Sequence, residues 1–283
     1  MGVMGATGTV GRHVASMLVD AGVRCTALTR HRVDSGAALA WRAFDWNNES
    51  TWNDALTGLD RLFVVSPLAP TMVELTEAIA PRLADAGVNY AVRLSALGVG
   101  YEPPLRLGRL HGEADRVLAA TLPVMSLRPN SFMDNFHVYS AAAIREEGVL
   151  RLAQGDGNVS AIDARDIAAV ASVLLSAGEP ATGALELTGP EALSNTEMAK
   201  RFSAVLSQNV NYEPQSPETT RAAMVGYGMS EWLVDILCEL DTMVREGRAA
   251  QVNDNVARIC GNDARTFDVF VNTYRDAFDA PGS

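Results

Sequence analysis

Gly5, Gly8 and Gly11, at three-residue intervals in Met4-Gly5-Ala6-Thr7-Gly8-Thr9-Val10-Gly11, are the first residues whose types and spacing suggest chemistry. Where a strand meets a helix, this spacing suits the binding of a pyrophosphate at the helix N-terminus. Gly5 would make the tight turn, Gly8 would let the backbone approach the phosphates, and Gly11 would let the helix pack closely. With Thr7, Thr9 and Val10 between them, these residues read as a dinucleotide cradle. The strand before Gly5 has at most four residues, Met1 to Met4, which leaves room for a natural N-terminus further upstream.

A second strand, about 20 residues on, ends Leu28-Thr29-Arg30-His31-Arg32. An acidic residue there binds a ribose hydroxyl, whereas an arginine accommodates a 2′-phosphate. After this strand no Asp or Glu appears until Asp34, and Arg30, helped by Arg32 or His31, is suited to a phosphate, so NADP(H) is the expected cofactor. Other chemistries find little support. No Gly-x-Ser-x-Gly elbow occurs, and His13, His31, His111 and His137 are too few to force a hydrolytic triad. Asp163 and Asp166 stand at helix-start spacing and read as structural. Cys25, Cys238 and Cys260 are dispersed and form no metal or disulfide pattern, so no metal is expected and a reducing cytoplasm fits.

These residues need a scaffold. Short apolar runs alternate with helical patterns through the first 190 residues, the pattern of consecutive βαβ units. Strands are expected at Val3-Met4, Val23 to Thr29, Trp41 to Phe44, Arg61 to Ser66, Asn89 to Ser95, Val124 to Leu127 and Ala184 to Leu187. Helices are expected over Val10 to Ala21, Thr71 to Ala86, Leu107 to Ala120 and Ile167 to Ala177. The expected fold is α/β, a doubly wound, mainly parallel Rossmann sheet followed by a smaller, mostly helical C-terminal lobe. Residues 1–130 would form the dinucleotide-binding core, with 149–190 adding further strands and a helix, and residues 131–148 and 191–283 the substrate-binding lobe.

The 283 residues carry 23 basic and 34 acidic side chains, a net charge of −11, which disfavours nucleic acid and anionic lipid as partners. No apolar run is long enough for a membrane span, and no membrane partner is expected; the expected partner is a small, mostly apolar substrate molecule. A homodimer, or a protein partner on the C-terminal lobe, remains compatible with the sequence. Of the basic residues only Lys200 is a lysine.

The combination of motifs resembles the NmrA-like branch of the atypical short-chain dehydrogenase/reductases. It is carried by Gly5 to Gly11, Ala27-Leu28-Thr29-Arg30, Leu94-Ser95-Ala96-Leu97-Gly98, His111-Gly112-Glu113-Ala114-Asp115, Leu127-Arg128-Pro129-Asn130 through Phe136, Ile162 to Ala168 and Glu186 to Pro190. The resemblance implies Asp45 near the adenine, Ser66 and Pro67 beside the cofactor ribose, Ser95 close to the nicotinamide, and the Pro129-Asn130 backbone bordering the same ring. Phe132, Met133 and Asn135 would line the substrate cleft.

The family's usual chemistry is missing. Reductases of this type take a proton from the tyrosine of a YxxxK pair, and this chain has none; the matching helix puts Leu107 in the tyrosine position and His111 in the lysine position. His111 would then donate a proton or hold a ribose hydroxyl near neutral pH, or else merely pair with Asp115 one turn on. Tyr101, in the loop Gly98 to Pro104, is a further catalytic candidate, as are Asp134, His137 and Tyr139. Three functions remain open on these residues. The first is an NADPH-dependent reductase of a quinone, enone, imine or iminium; the second is a non-catalytic redox-sensing regulator that binds NADP(H); the third is a non-redox cyclase or isomerase.

Overall fold

In the computed structural model, which describes residues 1–32 and 39–279, the chain begins β1 (Gly2–Met4), α1 (Gly11–Asp20), β2 (Cys25–Thr29), β3 (Leu39–Ala43) and α2 (Trp52–Leu56). It continues through β4 (Arg61–Val64), α3 (Met72–Asp85), β5 (Tyr90–Leu94), α4 (Arg106–Ala119) and β6 (Val124–Pro129). Then follow α5 (Asp134–Tyr139), α6 (Ala141–Glu147), β7 (Val149–Leu152), β8 (Asn158–Val159), α7 (Ala164–Ser176) and β9 (Gly183–Leu187). The remainder is β10 (Leu193–Ser194), α8 (Asn195–Leu206), β11 (Asn211–Pro214), α9 (Pro217–Gly226), α10 (Glu231–Arg245), α11 (Asn255–Cys260), α12 (Phe267–Thr273) and α13 (Arg275–Phe278).

Two compact units result. The first comprises residues 1–129, 164–187 and 259–261. Its seven strands form one sheet in the order β3-β2-β1-β4-β5-β6-β9, every neighbouring pair parallel. All seven are the strands read from the sequence. β1 is only three residues long, yet it is held on both sides, by β2 and β4, and its Val3 and Met4 are wholly buried. Strand order reverses between β1 and β4, the switch point at which doubly wound sheets bind ligands beyond their carboxyl ends.

α1 buries Gly11, Val14, Ala15 and Leu18, a stripe at three- and four-residue spacing, and packs beside α7, while α3 packs beside α4. Arginines tie loops to this frame. Arg61 donates to the carbonyls of Leu175, Ala177 and Gly178 at the end of α7, and Arg42 gathers those of Asp54, Ala55 and Thr57.

The second unit comprises residues 130–163, 188–258 and 262–283. Its core is aromatic: Phe136, Phe202, Phe267, Phe270 and Phe278 meet at centroid separations of 5.0 to 6.3 Å. Ser194 and Glu197 close a reciprocal capping box at the start of α8. Here the expected boundaries need correction. Residues 149–163 were expected in the nucleotide-binding core, but β7 pairs with β11 and β8 with β10, in two small sheets of this unit. A four-residue apolar strand carries no sign of which sheet it joins, because its partner lies some sixty residues on.

Candidate functional site

The turn between β1 and α1 is shaped by glycine. Gly5 has φ +63°, a left-handed conformation that disfavours a side chain, and its carbonyl accepts from the Gly8 N–H at 2.8 Å. A Cβ on Gly8 would stand 3.2 Å from that carbonyl oxygen, and one on Gly11 would collide with it. The helix therefore starts directly against the turn. Among the described residues no backbone carbonyl accepts from the N–H groups of Ala6, Thr7 or Thr9. Open amides ahead of a ten-residue helix form a cradle for an anion, so this turn fits the pyrophosphate of a dinucleotide.

Thr29 braces the end of β2. Its hydroxyl donates to the His31 carbonyl at 2.6 Å and accepts from the Trp41 indole at 2.8 Å. This turn leaves Arg30 exposed, with no ion-pair partner among the described residues. Asp34 lies outside the described residues. Asp45 follows β3 and spends Oδ1 on the Asn47 N–H at 3.0 Å, capping the next turn. Ser66 and Pro67 follow β4, with the buried Ser66 hydroxyl 3.5 Å from that of Thr76. Each of these positions lies just past the carboxyl end of a strand.

The second feature of the site is a nest of charge between β5, β6 and α4. Gly98 has φ +94°, and a Cβ on Gly108 would collide with its carbonyl oxygen, so α4 lies tightly against the turn that follows β5. One turn further along α4 comes His111, and another turn on, Asp115. From β5 the wholly buried Arg93 reaches them: Nη1 donates to Asp115 Oδ1 at 2.5 Å and lies 3.4 Å from His111 Nδ1. Asp115 also accepts from the Ser95 hydroxyl at 3.0 Å and from Arg128 Nη2 at 3.2 Å. Two guanidiniums thus converge on one carboxylate, beside a neutral imidazole.

Several expectations change here. His111 does not pair with Asp115, whose oxygens are taken by Arg93, Ser95 and Arg128. Nor does it titrate near neutral pH: desolvation, reinforced by the Arg93 charge, pushes its pKa down to about 3. Ser95 turns its proton inward to Asp115, so it is no free proton donor, although its lone pairs can still accept. Tyr101 is half-buried in the turn after Gly98, its N–H on the Gly98 carbonyl at 3.2 Å. Arg93 itself was not foreseen. Its signal was an arginine inside the apolar run Tyr90-Ala91-Val92-Arg93-Leu94, a position that demands a buried counterion.

In the second unit the Asn130 side chain is a clasp. Nδ2 donates to Ser160 Oγ and the Ala249 carbonyl, both at 2.8 Å, and Oδ1 accepts from the Ser131 N–H. Phe132 is half-buried and bridges to Ile162, and Asn135 is exposed. Met133 was expected in a substrate cleft, but it is 1% exposed and packs in this unit's interior, beside Gly189. Asp163 and Asp166 are buried at the start of α7, in keeping with a structural role.

Residues 5–177 match the family described as NAD(P)H-binding. The chain is 36% identical to an NAD(P)H azoreductase from Xenophilus azovorans, across 98% of this chain and 99% of that protein. Its backbone resembles an NADPH-dependent quinone oxidoreductase from Escherichia coli, solved with NADPH, at a TM-score of 0.85 and 24% identity, covering 97% of this chain and 99% of that one. It also resembles a triphenylmethane reductase from Citrobacter sp., solved with NADP(H), at a TM-score of 0.81 and 21% identity, covering 95% and 97%. At those identities the structural likeness speaks for the fold. The chain belongs to the NAD(P)H-binding family.

Proposed function

We propose that this NAD(P)H-dependent oxidoreductase, of the NmrA-like branch, reduces neutral conjugated acceptors, azo compounds and quinones foremost, with NADPH as its preferred donor. Bound NADPH would supply a hydride. The glycine turn would hold the pyrophosphate and Arg30 the 2′-phosphate, through charge-assisted hydrogen bonds worth about 1.5 to 3 kcal/mol.

The observation that carries the acceptor class is the nest around Arg93. Reduction of a quinone or an azo bond places negative charge on oxygen or nitrogen, which a guanidinium behind the imidazole, Arg93, would stabilise. An iminium loses positive charge on reduction and gains nothing from such a neighbour, so the structure favours neutral acceptors over cationic ones. His111, neutral and in the position where related enzymes carry lysine, would donate a hydrogen bond to the charge as it develops; neutral imidazoles serve as electrophiles elsewhere. The 36% identity to an azoreductase over nearly the full length supports the same class.

Turnover should be followed at the nicotinamide absorbance band with an azo dye, a quinone and an iminium compound at matched concentrations. Oxidation with the first two, and little with the third, is expected. NADPH binding without oxidation by any acceptor would instead favour a regulator, and product without oxidation a cyclase or isomerase.

A further inference from the structure

We propose that Arg93 is a positioning residue for His111: by donating to Nδ1 it holds the imidazole in its Nε2–H tautomer and sharpens Nε2–H as a hydrogen-bond donor. This rests on the reading of His111 as the group that meets the acceptor.

A guanidinium has only donors, so the nitrogen facing it must be the one without a proton. The facing atom is Nδ1, 3.4 Å from Arg93 Nη1. The proton then resides on Nε2, which has no partner among the described residues. Arg93 cannot turn away. Asp115 grips the same Nη1 at 2.5 Å, Nη2 lies 3.8 Å from Met72 Sδ, and the side chain is wholly buried. Its Nε has no hydrogen-bond partner among the described residues, an uncompensated donor that core packing alone would not favour. Asp115 is steadied in turn by Ser95 and Arg128. The charge that faces the imidazole is Arg93 from β5, and behind it Asp115 of α4 also holds Arg128 of β6. The cation on Nδ1 withdraws electron density across the ring, which strengthens the N–H on the far side without transferring a proton.

The direct test is nitrogen NMR of the full-length protein labelled with 15N-histidine, the His111 signals being assigned by their loss in His111→Asn. Nδ1 is expected to show a pyridine-type shift and Nε2 a pyrrole-type shift, unchanged from about pH 8 to about pH 5, where an ordinary histidine titrates. An averaged pair of shifts, or a proton on Nδ1, overturns the proposal whatever any variant does. Arg93→Lys, whose ammonium also only donates, should keep the tautomer. Arg93→Met combined with Asp115→Asn removes donor and counterion together. It should give mixed tautomers and lower kcat by about 100-fold with KM little changed, the scale of losing one preorganised donor. A folded double variant that keeps a single Nε2–H tautomer also overturns it. Full turnover in His111→Ala, with the wild-type tautomer as expected, would instead refute the proposed role of His111 and leave the Arg93 geometry standing.

Discussion

Gly11 against Gly5 and Gly108 against Gly98 are the same device at two turns. In each, a left-handed glycine follows a strand and a second glycine lets the next helix come into backbone contact with it. What the two turns do is different. The first leaves backbone N–H groups open, so its chemistry belongs to the main chain and depends on residues within seven positions of one another. The second brings side chains together: Arg93 lies 22 residues from Asp115, and Arg128 another 13 away. One turn presents fixed backbone dipoles; the other gathers two guanidiniums and a carboxylate beside a neutral imidazole. Both need close approach, but only the second depends on charge neutralisation inside the protein.

The most damaging way to break this contrast is Asp115→Ala, which strands Arg93 without a counterion. Chemical denaturation should show a loss of about 3–5 kcal/mol, the scale for breaking a buried pair, and a loss below about 1 kcal/mol would show that the nest does not depend on the carboxylate. His111→Ala should lower kcat by about 10²- to 10³-fold while NADPH binding, measured by fluorescence titration, stays near wild type. Gly11→Ala and Gly108→Ala sharpen the comparison directly. Each should destabilise by about 1–3 kcal/mol through overpacking, but only Gly11→Ala should also weaken NADP+ binding seen by calorimetry. Equal effects on binding would mean that the two turns are not functionally distinct. Arg30→Ala should weaken NADPH about tenfold or more and leave NADH unchanged, by the loss of a charge-assisted hydrogen bond.

A separate effect, confined to acid, is on stability. His111 has a folded pKa of about 3 against an ordinary value of 6.5, so between those limits the unfolded chain takes up a proton that the folded one refuses. Stability should therefore fall as pH drops through that window, and His111→Asn should flatten this part of a denaturation series.

Periodicity and local spacing explain what was legible beforehand. All seven core strands could be read because buried parallel strands are short apolar runs between amphipathic helices, and the glycine turn because its whole pattern lies within seven residues. The nest could not be read, since its members come from three elements and their pairing depends on register. His111 and Asp115, four apart on a helix, suggested a local pair, but Arg93 arrives between them from another strand and takes both. Met133 misled for a related reason: an apolar residue beside a motif does not reveal which side of the chain is covered. The misplacement of 149–163 has the same origin in long-range pairing.

The arginines that gather carbonyls at Arg61 and Arg42, and that build the nest, have a practical corollary. With almost every cation in this sequence a guanidinium, its single lysine, the exposed Lys200 on α8, is the one side chain here open to amine-directed reagents. Coupling through Lys200 would tether the protein to a surface at a defined point on α8.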